Sequence, residues 1–167
     1  MITYDSSKGP YLLDEVAKRG HSLWWDPADQ AWHSSDDAAV QALINTFDPL
    51  PPAQQAAEQR VDAAAGEARA RYITVAPGQE AVYNLKLQQA KDYQAAGNPA
   101  DATPWPLINQ EATARGVSPS QVATEIITTA NQWIQIAAQI EAIRMKAKAD
   151  IKAATTWQQC EQIASQA

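Results

Sequence analysis

The chain is 167 residues long with a net charge of -6 and a pI near 4.8, and lacks the clustered Lys and Arg that nucleic-acid and anionic-membrane surfaces require. Apolar residues make up 46% of it, but many are alanine and there is a single phenylalanine, so the buried area per residue is small. A slim helix-on-helix seam is therefore expected rather than a thick core, and such a seam implies a partner or self-association.

In chain order, residues 1–47 read as a small α+β module. PYLLDEVAKRG predicts a short helix with Pro10 in its first turn, Gly20 at its end, and Leu12, Leu13, Val16 and Ala17 on its apolar side. HSLWWDPADQAWHSS predicts a β-hairpin, with Trp24 and Trp25 before a DPADQ turn and Ala31-Trp32-His33 returning. Ser35 is placed to cap a helix over Asp36–Phe47, with Val40, Leu43, Ile44 and Phe47 on one face. DPLPP, residues 48–52, then reads as a stiff extended joint and the domain boundary, because its prolines cannot continue a helix.

Residues 53–167 read as one helical domain, a bundle or hairpin with a long final helix. A helix over about Ala53–Tyr72 is broken at Pro77-Gly78, and a second runs to about Ala96 with Val82, Leu85 and Tyr93 on one face. The intervening stretch RYITVAPGQEAVY reads as a hinge. Pro77 suits the first turn of the new helix, Glu80 its positive end, and Tyr72, Ile73 and Val75 the burial of the corner against the long helix. Trp105, between two prolines, is placed to plug the junction before a short helix, Leu107–Arg115, that Gly116 stops.

Ser118-Pro119 opens the longest helix. Val122, Ile126, Ala130, Trp133, Ala137, Ile140, Ala147 and Ile151 recur mostly at three and four, a seam of about four heptads. Thr155 or Thr156 would cap a terminal helix carrying Trp157 and Ile163.

Catalytic chemistry is sparse. His21 and His33 are the only histidines and neither has metal-ligand spacing, so no metal and no cofactor are expected. There is no GxSxG, GxxxxGK[ST] or GxGxxG motif. The carboxylate pairs Asp14/Glu15 and Asp36/Asp37 sit near ends of short helices, where solvation and the helix dipole account for them. The expectation is a protein that is not an enzyme. The one cysteine, Cys160, reads as a small buried hydrophobe and fits a chain made in the cytoplasm. No apolar run is long enough to span a bilayer, and MITYDSSKGP lacks the features of a signal peptide.

The tryptophans carry the sharper reading. Trp24, Trp25 and Trp32, with His33, fall in one hairpin, and a two-stranded hairpin cannot bury its own face. These rings form either a mini-core or an aromatic patch that anchors a protein or a glycan.

WWDPADQAWHSSDDAAVQALINTFDPLPPAQ, followed by RYITVAPGQEAVYNLKLQQAKDY, PWPLINQEA and WIQIAAQIEAIR, resembles small proteins of tailed-bacteriophage tail modules. The two parts cover most of the chain, and their motifs are compositional rather than catalytic. The resemblance implies a non-enzymatic component of the virion tail, made in the host cytoplasm. Its partners would be tail-fibre or baseplate proteins. It leaves open a tail-fibre assembly chaperone absent from the mature virion, and a carbohydrate-binding adaptor for receptor recognition. It carries over no catalytic residue.

Overall fold

The computed structural model describes residues 2–72 and 79–167. Among them a 3-10 turn, Ser6–Lys8, leads into α1 (Tyr11–Lys18), and a β-hairpin follows, β1 (Leu23–Asp26) and β2 (Ala31–Ser34). Five further segments of helix-forming sequence appear as α2 (Asp37–Thr46), α3 (Leu50–Ala70), α4 (Gln79–Ala95), α5 (Pro106–Arg115) and α6 (Pro119–Ala153), and the chain closes with α7 (Trp157–Gln166). The class is mainly α with a hairpin near the N-terminus and one long helix late in the chain, as the sequence predicts.

Local chemistry sets most of these ends. α1 stops where Gly20, at φ +79°, lets its own N–H reach Ala17 O and the next N–H, of His21, reach Val16 O, so the last carbonyls are satisfied. α2 is capped by Asp36, whose carboxylate accepts from Ala39 N at 3.0 Å, and not by Ser35 as expected. The Ser35 hydroxyl instead accepts from Ser22 N across the mouth of the hairpin. α6 begins as predicted, with Ser118 Oγ accepting from Gln121 N at 3.1 Å and Pro119 in the first turn.

The expected extended joint at 48–52 is a helix start instead. Leu50, Pro51 and Pro52 form the first turn of α3, and Asp48 accepts from Leu50 N at 2.9 Å. A proline in a first turn gives up an N–H that has no helical partner anyway, so it starts a helix as readily as it stops one.

The division of the chain also differs from one boundary at 48–52 followed by one helical domain. Two compact units form: Met1–Ala64 with Arg144–Ala167, and Ala65–Ile143. Because α3 and α6 each run through a division point, the first unit is built from both ends of the chain.

In the first unit, Ile2, Leu12, Val16, Val40 and Ile44 make one buried cluster, with Tyr4, Leu23, Trp32, Leu43 and Phe47 packed against it. A second cluster joins Ala53, Ala57 and Val61 of α3 to Ala147 and Ile151 of α6 and to Cys160 of α7, with Tyr11 and Trp157 on its edge. Cys160 is buried, which raises its thiol pKa and fits the role of a small hydrophobe. Ionic contacts flank the same seam: Asp62 accepts from Arg144 at 2.7 Å and from Lys148 at 2.8 Å, and the Lys148 and Arg144 hydrogen bonds hold its carboxyl below the usual range.

The N-terminal segment is stapled to α7. Trp157 Nε1 donates to Ser7 O at 2.8 Å while its ring lies over Gly9, whose backbone is at φ +62° and ψ -164°. Only glycine adopts that conformation readily, and a Cβ there would stand 2.7 Å from the indole. Tyr11 meets the Trp157 ring edge-on and donates its hydroxyl to Glu161, which also pairs with Arg60 at 2.8 Å.

α7 itself starts with a reciprocal cap: Thr156 Oγ1 accepts from Gln159 N, and the Gln159 side chain accepts from Thr156 N. Thr156→Ala is expected to cost about 1 kcal/mol, read as a lower urea midpoint at unchanged slope, with Thr156→Ser close to wild type.

In the second unit, Ala90 and Tyr93 of α4, Ala102, Ile108 and Ala112 of α5, and Val122 and Ala123 of α6 form the core. Trp105 does plug the junction: it packs on this core and meets Tyr93 edge-on at 5.2 Å. Glu111 pairs with Lys86 and Arg115, and Arg115 also reaches Glu125 at 2.6 Å. Val82 and Leu85, expected on the buried face of α4, are exposed, and the buried face is completed by Ala90 and Tyr93 further along the helix.

The seam of α6 keeps its spacing but is unevenly covered. Val122, in the second unit, and Ala147 and Ile151, in the first, are buried, whereas Ile126, Ala130, Trp133, Ala137 and Ile140 are half-buried. Trp133 meets the Tyr72 ring at 6.2 Å. The rest of the expected hinge, Ile73–Gly78, lies outside the described residues; Glu80 sits in the first turn of α4.

Candidate functional site

The hairpin is the place where the sequence concentrated its chemistry. Its register pairs Leu23 with Ser34, Trp24 with His33, Trp25 with Trp32, and Asp26 with Ala31. Because successive side chains of a strand point to opposite faces, Trp24 and His33 share one face and Trp25 and Trp32 the other. Trp24 stacks on His33 at 5.9 Å and 25°, and Trp25 meets Trp32 edge-on at 5.8 Å.

Burial separates the four residues proposed from sequence. Trp32 is half-buried: it stacks on Tyr4 at 4.1 Å and 18°, bridges to Ile2, and packs on the first-unit core. It anchors the hairpin. Trp24 and Trp25 are exposed at 47% and 48%, adjacent in sequence and on opposite faces of the ribbon. His33 is half-buried under Trp24 and bonds Asp29 Oδ2 at 2.8 Å. The mini-core and the aromatic patch are thus both present, on different rings.

The expected DPADQ turn is built by its two aspartates. Asp26 accepts from Ala28 N at 2.8 Å and Asp29 from Ala31 N at 3.1 Å, while Gln30 takes a left-handed φ of +56°. Asp26, Asp29 and His33 bring ligand atoms within 4.8 Å of one another. The aspartates' spacing around Pro27 was a legible turn signal. The approach to His33 depends on register and was not. These groups already have partners in the turn and in the Asp29–His33 pair, which accounts for their arrangement.

No protein-family model, curated protein or solved structure matches the chain.

Elsewhere in the first unit two open clefts occur. One, of about 230 Å³, is lined by Tyr11, Asp14, Glu15, Lys18, Phe47 and Gln55 among others, and one of about 580 Å³ by Thr3, Asp5, Lys8, Gln41, Ile44 and Asn45. Their polar groups have structural partners: Glu15 pairs with Arg19 at 2.8 Å and Lys8 donates to Phe47 O at 2.8 Å. Of the other carboxylate pair, Asp36 caps α2 and Asp37 accepts from Ser34 Oγ at 2.7 Å, which keeps its pKa low. Among the described residues no helix is long and apolar enough to cross a membrane.

Proposed function

We propose that the protein is a non-enzymatic component of a phage tail that docks a tail-fibre or baseplate protein through the Trp24–Trp25 edge of its hairpin. The observation that carries the docking surface is the pair of exposed indoles held on a ribbon that Trp32 and Tyr4 pin to the core. Rigid aromatic side chains lose little conformational entropy on binding and dominate interface energetics. The tail assignment itself rests on the resemblance of the hairpin-to-DPLPPAQ stretch and of the region from Arg71 to about Lys152 to tail-module proteins.

Two measurements test the reading. Mass spectrometry of purified particles of the encoding phage is expected to find the chain; its absence, with the chain bound to fibre protein in the infected cell, converts the reading to an assembly chaperone. Pull-down from the same cells is expected to recover a fibre or baseplate protein, and Trp24→Ala with Trp25→Ala to weaken that capture at least tenfold without moving the melting temperature. Undiminished capture by the double variant refutes the docking surface. Glycan binding that the double variant abolishes, with no tail protein recovered, replaces it with the carbohydrate adaptor.

A further inference from the structure

The two edges of the hairpin differ. Ser35 N donates to Ser22 O at 3.0 Å, which makes Ser22 and Ser35 a hydrogen-bonded pair of the antiparallel ladder. Alternation along the register then makes Trp24–His33 and Asp26–Ala31 hydrogen-bonded pairs, and Leu23–Ser34 and Trp25–Trp32 non-hydrogen-bonded ones. The N–H and C=O groups of Leu23, Trp25, Trp32 and Ser34 therefore point out of the two-stranded ribbon. On the β2 side Ile2 bridges to Trp32. On the β1 side, among the described residues, no strand pairs with Leu23 or Trp25.

The usual guards against strand addition are missing from this edge: Leu23–Trp25 contains no lysine and no proline, and Pro27 lies beyond the strand. Leu23 and Trp25 share the ribbon face that packs on the core through Leu23 and Trp32, and Trp24 lies on the opposite face. At the turn end of the edge Asp26 accepts from Ala28 N and, among the described residues, forms no ion pair.

These groups select their occupant. Outward N–H and C=O groups on alternate residues match the repeat of an extended backbone, which neither a helix nor a glycan presents. We propose that β1 accepts an antiparallel strand from a partner protein, bonded to the backbone of Leu23 and Trp25. This addition rests on the proposed function only in taking the partner to be a protein. Antiparallel pairing is the more stable per residue, and it sets one partner residue across from Trp24 in the closer, non-hydrogen-bonded geometry. A β-branched or aromatic side chain fits there. Two residues earlier, on the same face, the partner segment meets Asp26, where a lysine or arginine supplies the opposite charge in a chain of net charge -6.

The probe is the peptide acetyl-Thr-Lys-Thr-Ile-Val-Thr-amide, which places its lysine by Asp26 and its isoleucine by Trp24. It is titrated to about 5 mM into the isotope-labelled full chain and read by amide NMR shifts. The edge is short, so a dissociation constant of about 1 mM is expected, with the largest shifts at Leu23 and Trp25. N-methylation of the threonine after the lysine, whose N–H meets Trp25 O, is expected to weaken binding at least tenfold. N-methylation of the isoleucine, whose N–H points away from β1, is expected to change it less than about twofold. No binding by about 5 mM, the reverse sensitivity to the two methyl groups, or indifference to both overturns the proposal. No tail protein enters this titration, so its failure is distinct from failure of the capture experiment. Capture without peptide pairing removes the strand addition and leaves the docking surface. Pairing without capture keeps the strand addition and removes the tail partner.

Discussion

Gly9→Ala is expected to be among the most damaging single-methyl additions the chain can receive. The alanine would have to hold φ +62° and ψ -164°, a region that costs of order 1–3 kcal/mol for a residue with a Cβ. The new methyl would also stand 2.7 Å from the Trp157 ring, so the indole must withdraw and its 2.8 Å bond to Ser7 O is lost with it. A total of about 3 kcal/mol follows, a fall in melting temperature of about 10 °C for a chain of this length. Two controls separate the contributions. Gly20→Ala, at φ +79° with nothing within 4 Å, suffers the backbone strain alone. Gly66→Ala, inside α3 with open space around it, is expected to stabilise by about 0.5–1 kcal/mol. Thermal unfolding of the three variants in parallel checks all of this, and equal losses for Gly9→Ala and Gly20→Ala would remove the indole from the explanation.

The second large effect is expected in alkali. Burial, the hydrogen bond to Glu161 and the charge of that carboxylate push the Tyr11 phenol up from 10.0 to about 12. A raised pKa means that the neutral form is favoured by folding. The stabilisation is therefore complete below pH 10, declines between pH 10 and 12, and is gone above the folded value. Glu161 follows the opposite logic: burial pushes its pKa up, but the bonds from Tyr11 and Arg60 outweigh burial and leave it lowered. Tyr11→Phe removes the donor and is expected to cost about 1–3 kcal/mol at pH 8, as for hydrogen bonds to charged groups. The gap between wild type and variant should close as pH rises through the window. Absorbance at 295 nm gives an independent reading: a phase of tyrosine ionisation near pH 12 is expected, and it should be missing from the variant.

What could be read from sequence divides along the range of the interactions. α6 was legible from Ser118-Pro119 and from a period maintained over many turns, and the cap of α7 to within two neighbouring threonines, Thr155 or Thr156, because these signals are local. DPLPP misled because proline stops a helix from within and starts one from its first turn, and the residues alone do not say which. The two-part division of the chain was illegible for a different reason. It depends on contacts such as Tyr11–Glu161 and Trp157–Ser7, 150 positions apart, which leave no periodic trace.

The site shows the same limit at smaller scale. Strand alternation places Trp24 and Trp25 on opposite faces, but which ring is covered was decided by Tyr4, a residue with no sequence signal toward Trp32.

The way the first unit draws on both ends of the chain has a consequence for its birth on the ribosome. Residues 65–167 must be translated after Ala64 before α7 can reach Ser7 and Tyr11, an interval of roughly 5–20 s at about 5–20 residues per second. Throughout that interval Ala53, Ala57 and Val61 lack the surface formed by Ala147, Ile151 and Cys160. The second unit, whose residues are contiguous from Ala65 to Ile143, can complete its own core while the first is still waiting. Synthesis thus imposes an order on folding: the middle of the chain matures first, and the part bearing the tryptophans becomes final only when the last helix emerges.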